Sequence, residues 1–318
     1  MVNDKLLFHL GGELPLSKRY SLEEIKRKVI DVLKNSDAGL SGVEIAEKIN
    51  VNRITLTKYL NVLETIGLIK RKHAGSVNVW YLAEGVMEFE LPIDILDVQQ
   101  AYMNALFNHS EDEARRIIIS VLHSGLDPIK LLSDVITPTL NTADALYTRG
   151  RITVTENTYL NNLVMESVDL IKFNSQRDSI KPNAYAVFMS AQGESDVIGP
   201  KITSVAFYLK GWNSYFLGNV ASETDLLFDI DLLKFLDKIS KTRRGLMIMG
   251  IYVMKKEHLM GMGETIKSIR SKLGKNMFVL TEGKAFKEEV SEEGVDFHAV
   301  NLISAVEWAE ELYKKVKW

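Results

Sequence analysis

Cysteine is absent from the 318 residues, which excludes disulfides, a thiolate zinc site and a cysteine nucleophile. Glutamine occurs only at positions 99, 100, 176 and 192, and beside abundant Lys and Glu this shortage fits a heat-adapted source. No apolar run approaches the ~20 residues that span a bilayer, and no charged-then-apolar segment reads as a secretory signal. A cytoplasmic protein without a membrane partner is therefore expected. The phosphate-cradling motifs G-x-G-x-x-G and G-x-x-x-x-G-K-S/T are missing, and so is a nucleophile elbow. The six His, at 9, 73, 109, 123, 258 and 298, lack metal-ligand spacing. Neither a metal site nor an enzyme is expected.

What is present is ordinary in total and uneven in distribution. Hydrophobic residues make up 46% and charged residues 25%, the mixture of a globular protein long enough for two or three domains. The net charge of −3 looks unsuited to nucleic acid until it is divided. Residues 18–85 hold 12 Lys and Arg against 8 Asp and Glu, a net +4, which leaves −7 for the remainder. A basic head on an acidic body is the asymmetry expected when one domain meets DNA and the other does not.

Residues 1–17 read as an N-terminal extension with no assignable chemistry. Ser21 with Glu24 then forms a capping box ahead of an Ile25, Val29, Ile30, Leu33 stripe at helical spacing. Ser41 with Glu44 opens a second, short helix. Asn50-Val51-Asn52 is a turn, and Asn52 is suited to cap a third helix from 53 to about 66, stopped by Gly67. Residues 68–72 and 77–82 read as strands around His73-Ala74-Gly75-Ser76. Three helices followed by a hairpin make a winged helix-turn-helix over 18–85. The stretch SGVEIAEKINVNRITLTKYLNVLETIGLIKRK resembles the many prokaryotic regulators with this head.

With Leu56, Leu60 and Leu63 facing the core, the third helix offers Asn52, Arg53, Thr55, Thr57, Lys58 and Asn61 to a major groove. Arg forks onto guanine, Asn onto adenine, and Thr and Lys reach phosphates. Lys70, Arg71, Lys72 and His73 lie at the wing. The expected partner is double-stranded DNA, read as paired half-sites by a homodimer.

Residues 84–92 read as a linker ending in Pro92. A helical bundle is expected over 92–178: helices at 93–107, from a Ser110/Glu113 cap to 122, from Asp127-Pro128 past Leu146, and from a Thr155 cap to about 173. Over 183–318, strands near 184–190, 214–218, 245–249, 277–281 and 297–300 alternate with helices near 199–210, 222–239, 258–273, 284–292 and 302–315. Five such units predict a doubly wound parallel sheet, with its ligand crevice at the carboxyl ends of the strands. Ser190, Glu194 and Asp196 from the first loop, with Tyr147, Glu156 and Asn157 from the bundle and Arg151 nearby, are positioned to line that crevice. Glu194 and Asp196 also suit the N-terminus of the helix near Gly199.

A four-helix bundle followed by five βα units resembles the cobalamin-binding module of methionine synthase, corrinoid methyl-carriers and light-sensing cobalamin-dependent repressors, over about 92–316. The phrases DPIKLLSDVITPTLNTADALYTRGRITVTENTYLNNLV and VSEEGVDFHAVNLISAVEWAEEL carry the likeness. The resemblance implies a D/E-x-H-x-x-G loop whose His ligates cobalt; the loop here is Glu194-Ser195-Asp196-Val197-Ile198-Gly199, with Asp196 at the His position. The implied S-x-L falls at Gly250-Ile251-Tyr252 and the implied Gly-Gly at Glu282-Gly283, where side chains would intrude on a nucleotide tail. The repressors' Trp and Glu-His in the cap become Leu146 and Glu156-Asn157. A carboxylate is a poor cobalt ligand, so these departures argue against ordinary histidine-ligated cobalamin and leave the cofactor unassigned. The expectation is a transcription regulator whose corrinoid-type module serves as sensor or dimerisation unit, with a small-molecule effector. The alternative is a cobalamin photosensor or corrinoid carrier with atypical cobalt ligation.

Overall fold

The computed structural model describes residues 20–34, 36, 38–65, 68–74, 77–83, 94–191, 196–219, 228–239, 245–274, 276–283 and 294–316. The extension at 1–17, Gly67, Gly75-Ser76, the 84–92 linker, Glu194 and the helix expected at 284–292 lie outside them. The chain divides into two compact units, Met1–Glu84 and Gly85–Trp318.

In the first unit, α1 (Leu22–Lys34) follows Ser21, whose hydroxyl accepts the Glu24 N–H at 3.1 Å. β1 (Leu40–Ser41) leads into α2 (Gly42–Ile49), where the Ser41/Glu44 capping box is complete. Asn50 closes α2 in the left-handed conformation at φ 54°, which its short polar side chain tolerates. Asn52 Oδ1 then accepts the Ile54 N–H at 2.9 Å and starts α3 (Arg53–Thr65). Leu56, Leu60 and Leu63 are buried, so one face of α3 is fixed against the core and the opposite face is turned out. β2 (Ile69–Ala74) and β3 (Val77–Leu82) form the antiparallel wing. β1 adds to the outer edge of β3, a short third strand that periodicity could not reveal in two residues.

The second unit begins with α4 (Ile95–Phe107) and α5 (Glu111–His123). Ser110 precedes α5 as expected, but its hydroxyl makes no cap bond, because its backbone lies outside the extended region that aims a cap side chain at the helix. Asp127 caps α6 (Pro128–Leu131), accepting the Ile129 N–H at 2.9 Å. A π turn over Leu132–Ile136 passes straight into α7 (Thr137–Thr148), which carries Pro138 in its first turn. The fourth helix of the bundle, α8 (Val154–Asn174), is capped by Thr153 and not by Thr155. Thr153 stands three residues before Glu156 and so completes a reciprocal capping box that Thr155 has no partner for.

The sheet has the order β5-β4-β6-β7-β8, all parallel: β4 (Ala184–Ser190), β5 (Asn213–Gly218), β6 (Leu246–Val253), β7 (Met277–Gly283) and β8 (Phe297–His298). β4 is central, and every residue in it is buried. Ala184, Ala186 and Phe188 join the bundle, α9 (Ile198–Leu209) and α12 (Leu302–Lys315) in one apolar core. Tyr185, Val187 and Met189 face the second core, against α10 (Phe228–Ile239) and α11 (Lys256–Leu273). β6 runs to Val253, further than expected, so Tyr252 is a strand residue paired with Ser190 and Glu282. The strand order reverses at β4, and sheets of this kind keep a crevice beyond the carboxyl ends of their strands.

Candidate functional site

On α3, Asn52, Arg53, Thr57, Lys58 and Asn61 are exposed and Thr55 is half-buried. Their positions follow from the Asn52 cap, which sets the helix start, and from the buried leucines, which set its rotation. Thr57 donates its hydroxyl to Arg53 O at 2.8 Å, so its hydrogen is turned back onto the helix. Ile54, which periodicity passed over, is 74% exposed on the same face. It stands outside the Leu56/Leu60/Leu63 stripe, and that displacement was the available signal.

The wing separates its polar side chains between two faces. Lys70 and Lys72 lie on the side of Tyr81, with Lys72 Nζ 5.3 Å from that ring's centre. Arg71 and His73 lie on the side of the buried Trp80. Arg71 pairs with Glu64 of α3 at 3.3 Å and sits 5.4 Å from the Trp80 ring, which braces the wing against the end of the recognition helix. Lys70, Arg71, Lys72 and His73 are all exposed.

In the second unit, a cleft of about 300 Å³ opens where the ends of β6, β7 and β8 meet α7, α9 and α12. Gly199, Tyr252, Glu282 and Gly283 line it, together with Thr203 and Asn141. The ring of Tyr252 lies directly on Gly199: a Cβ there would sit 2.4 Å from its Cε2. The Tyr252 hydroxyl bonds to Asp196, and burial, then the Asp196 charge, pushes the phenol well above its usual range. Asp196 Oδ1 accepts the Ile198 N–H at 2.8 Å, so this carboxylate holds the first residue of α9 as well as the tyrosine. Ser190 donates to the Asp196 backbone oxygen.

Glu282 accepts from Thr203 Oγ1 at 2.5 Å, and enclosure of its carboxyl raises its pKa to about 7. Gly283 holds φ 100°, with Val253 O 2.3 Å from where a Cβ would stand, so no larger residue fits. Asp144 of α7 is pushed up by burial and then by Asp196. Asp144 and Thr203 belong to this cluster, although nothing in their spacing singled them out. Five expected bundle residues do not line the cleft. Glu156 bonds the Thr153 N–H at 2.7 Å and is exposed. Tyr147 and Arg151 are exposed, and Leu146 is half-buried near the end of α7. Asn157 is half-buried with Oδ1 enclosed and unpartnered.

Recognition helix and wing define the class of the first unit, and bundle plus five parallel strands that of the second: a winged helix-turn-helix joined to a corrinoid-protein-type fold. Residues 22–70 match the family model for winged helix-turn-helix DNA-binding proteins. Among solved structures, the monomethylamine corrinoid protein of Methanosarcina barkeri aligns with TM-score 0.56 at 11% identity, over 69% of this chain and 100% of that one. At that identity the fold is what the two share. A cobalamin-binding protein from Desulfitobacterium hafniense DCB-2 aligns at 16% identity over 69% of this chain and 98% of that one, with TM-score 0.36. The methanol:cobalamin methyltransferase complex MtaBC from Methanosarcina barkeri aligns at 15% identity over 70% and 81%, with TM-score 0.35; both superpose too loosely to add to the first. No functionally curated protein matches.

The residues at the cleft do not fit a corrinoid. The Tyr252 ring lies on Gly199, at the stretch where the resemblance implies a nucleotide tail. Asp196, which the resemblance sets at the cobalt-ligand position, is a hard oxygen donor already engaged by Ile198 and Tyr252. Among the described residues, no group of three or more His, Asp or Glu is placed to hold a metal ion, and no helix is long and apolar enough to cross a membrane.

Proposed function

We propose that this chain is a DNA-binding transcription regulator whose second unit is a corrinoid-type fold reused as its sensor or dimerisation module, working without histidine-ligated cobalamin. The observation that carries the reading is the division of α3, with three leucines buried on one face and Arg53, Ile54, Lys58 and Asn61 exposed on the other. That is the form of a helix seated on its own domain and free to enter a major groove. The outward Lys70 and Lys72 support it as phosphate contacts of the wing.

The test is anisotropy of a fluorescent duplex selected from a random library on the full chain, at 50 and 200 mM salt. Wild-type affinity falls with salt, and Arg53→Ala/Lys58→Ala binds at least tenfold more weakly, with the salt slope shallower by about 1 for the lost Lys58 phosphate contact. Equal affinity of wild type and double variant refutes the reading.

The cleft at Tyr252 and Glu282 is the candidate effector site, and the regulator is read as a cytoplasmic homodimer. An effector acts by binding one subunit arrangement more tightly than another, a population shift that scales with the differential affinity. Native mass spectrometry reports subunit number and any retained small molecule together. Incubation with hydroxocobalamin followed by desalting returns colourless protein on this reading; a retained red chromophore returns the corrinoid-carrier alternative.

A further inference from the structure

We propose that Ile54 is a specificity-determining residue that reads the 5-methyl group of thymine in the major groove, an inference that rests on the DNA-binding reading above. Ile54 is the second residue of α3 and is 74% exposed, whereas Leu56, Leu60 and Leu63 of the same helix are at most 1% exposed. Its surroundings on the exposed face are polar: Arg53 beside it, Thr57 and Lys58 one turn on, and Asn61 two turns on. An aliphatic side chain left in water at the N-terminal end of a recognition helix sits where base edges are met. The thymine methyl is the apolar feature that a major groove presents there.

The side chain suits that task. A β-branched residue in a helix keeps essentially one χ1 rotamer, so Ile54 offers its methyl groups as a fixed surface that loses little freedom on contact. Thr57 extends it: with its hydroxyl hydrogen donated to Arg53 O at 2.8 Å, its methyl is the group left to face outward. Val62, 41% exposed, lies two turns further toward the C-terminus, beyond the residues that meet bases. Asn52 Oδ1 pins the Ile54 N–H at 2.9 Å and so fixes the turn that presents the side chain.

The experiment takes the best duplex selected on the full chain and replaces its thymines one at a time by deoxyuridine, which keeps base pairing and removes only the methyl. Wild type loses about fourfold in affinity at one or two positions per half-site, the value of one methyl-sized apolar contact. Ile54→Ala binds the thymine duplex about fourfold more weakly and does not distinguish uracil from thymine at those same positions. Ile54→Val keeps the discrimination. Because Ile54 is exposed, the unfolding midpoint of Ile54→Ala stays within error of wild type. Equal wild-type affinity for every deoxyuridine duplex overturns the inference, and so does an Ile54→Ala protein as sensitive to the methyl as wild type; in both cases DNA binding itself still stands. Failure to retain any duplex in a salt-dependent way refutes the DNA-binding reading, and this inference with it.

Discussion

Substituting Gly199 by Ala tests whether Tyr252 occupies the cleft as described. The added methyl would lie 2.4 Å from Tyr252 Cε2, 2.7 Å from Cδ2 and 3.0 Å from Cζ. Carbon atoms rest at about 3.5–4 Å, so the ring must move by more than ~1 Å, and β6 pairing on both sides holds its backbone. The hydroxyl then leaves Asp196, and overpacking of this kind costs about 1–3 kcal/mol. Against this, Ala is a better helix residue than Gly by up to ~1 kcal/mol, and Gly199 is not in the left-handed region where a side chain would be strained. The net expectation is a loss of about 1–2 kcal/mol in wild type. In a Tyr252→Ser background the obstruction is gone, and Gly199→Ala should stabilise by up to ~1 kcal/mol, a reversal of sign. Urea unfolding followed by tryptophan fluorescence measures it, since Trp212 and Trp308 both belong to the second unit. An alanine with the same effect in both backgrounds would show that Tyr252 does not lie on Gly199.

Other outcomes follow from single contacts. Thr153→Ala should cost about 1 kcal/mol in the same assay by removing the cap of α8, while Thr155→Ala changes little. Glu282 has its pKa raised to about 7, so the folded state holds a proton that the unfolded chain releases near 4.5. Its contribution is fully present below pH ~4.5 and is lost as pH rises through 7. Glu282→Gln removes that dependence, so its urea midpoint should gain on wild type between pH 5 and pH 8; a constant difference refutes the assignment. Arg71→Ala breaks the brace to Glu64 and Trp80 and should lower DNA affinity less than Lys70→Ala/Lys72→Ala does in the anisotropy assay, because its guanidinium is already paired with Glu64.

The first unit was legible almost residue by residue, because its signals are local. Ser41 with Glu44, Asn52 before Arg53, and leucines at 56, 60 and 63 each determine their own neighbourhood. The order of strands and helices in the second unit was legible for the same reason, from apolar runs such as AYAVFMS. What could not be read was meeting across distance. The Thr203 bond to Glu282 joins residues 79 positions apart, and Asp144 reaches Asp196 only through the packing of α7 on the sheet. Tyr252 was identified as bulk in the cleft, but its seat on Gly199 depends on β6 pairing beside β4. The start of α8 turns on a local detail: two threonines compete for it, and the partner Glu156 decides for Thr153.

The burial of β4 on both faces has a consequence for how this chain is made. Its seven residues carry no charge, no Pro and no Gly, the composition of a segment that pairs readily with copies of itself. β4 ends at Ser190, yet its neighbour β6 is complete only at Val253. On a ribosome adding about 5–20 residues per second, the segment therefore waits roughly 3–13 s with that edge uncovered. The winged head, whose contacts are local, is folded by then. Yield in a heterologous host should thus depend on holdase capacity acting on nascent β4, and slow growth at low temperature, which weakens apolar association, should recover soluble protein.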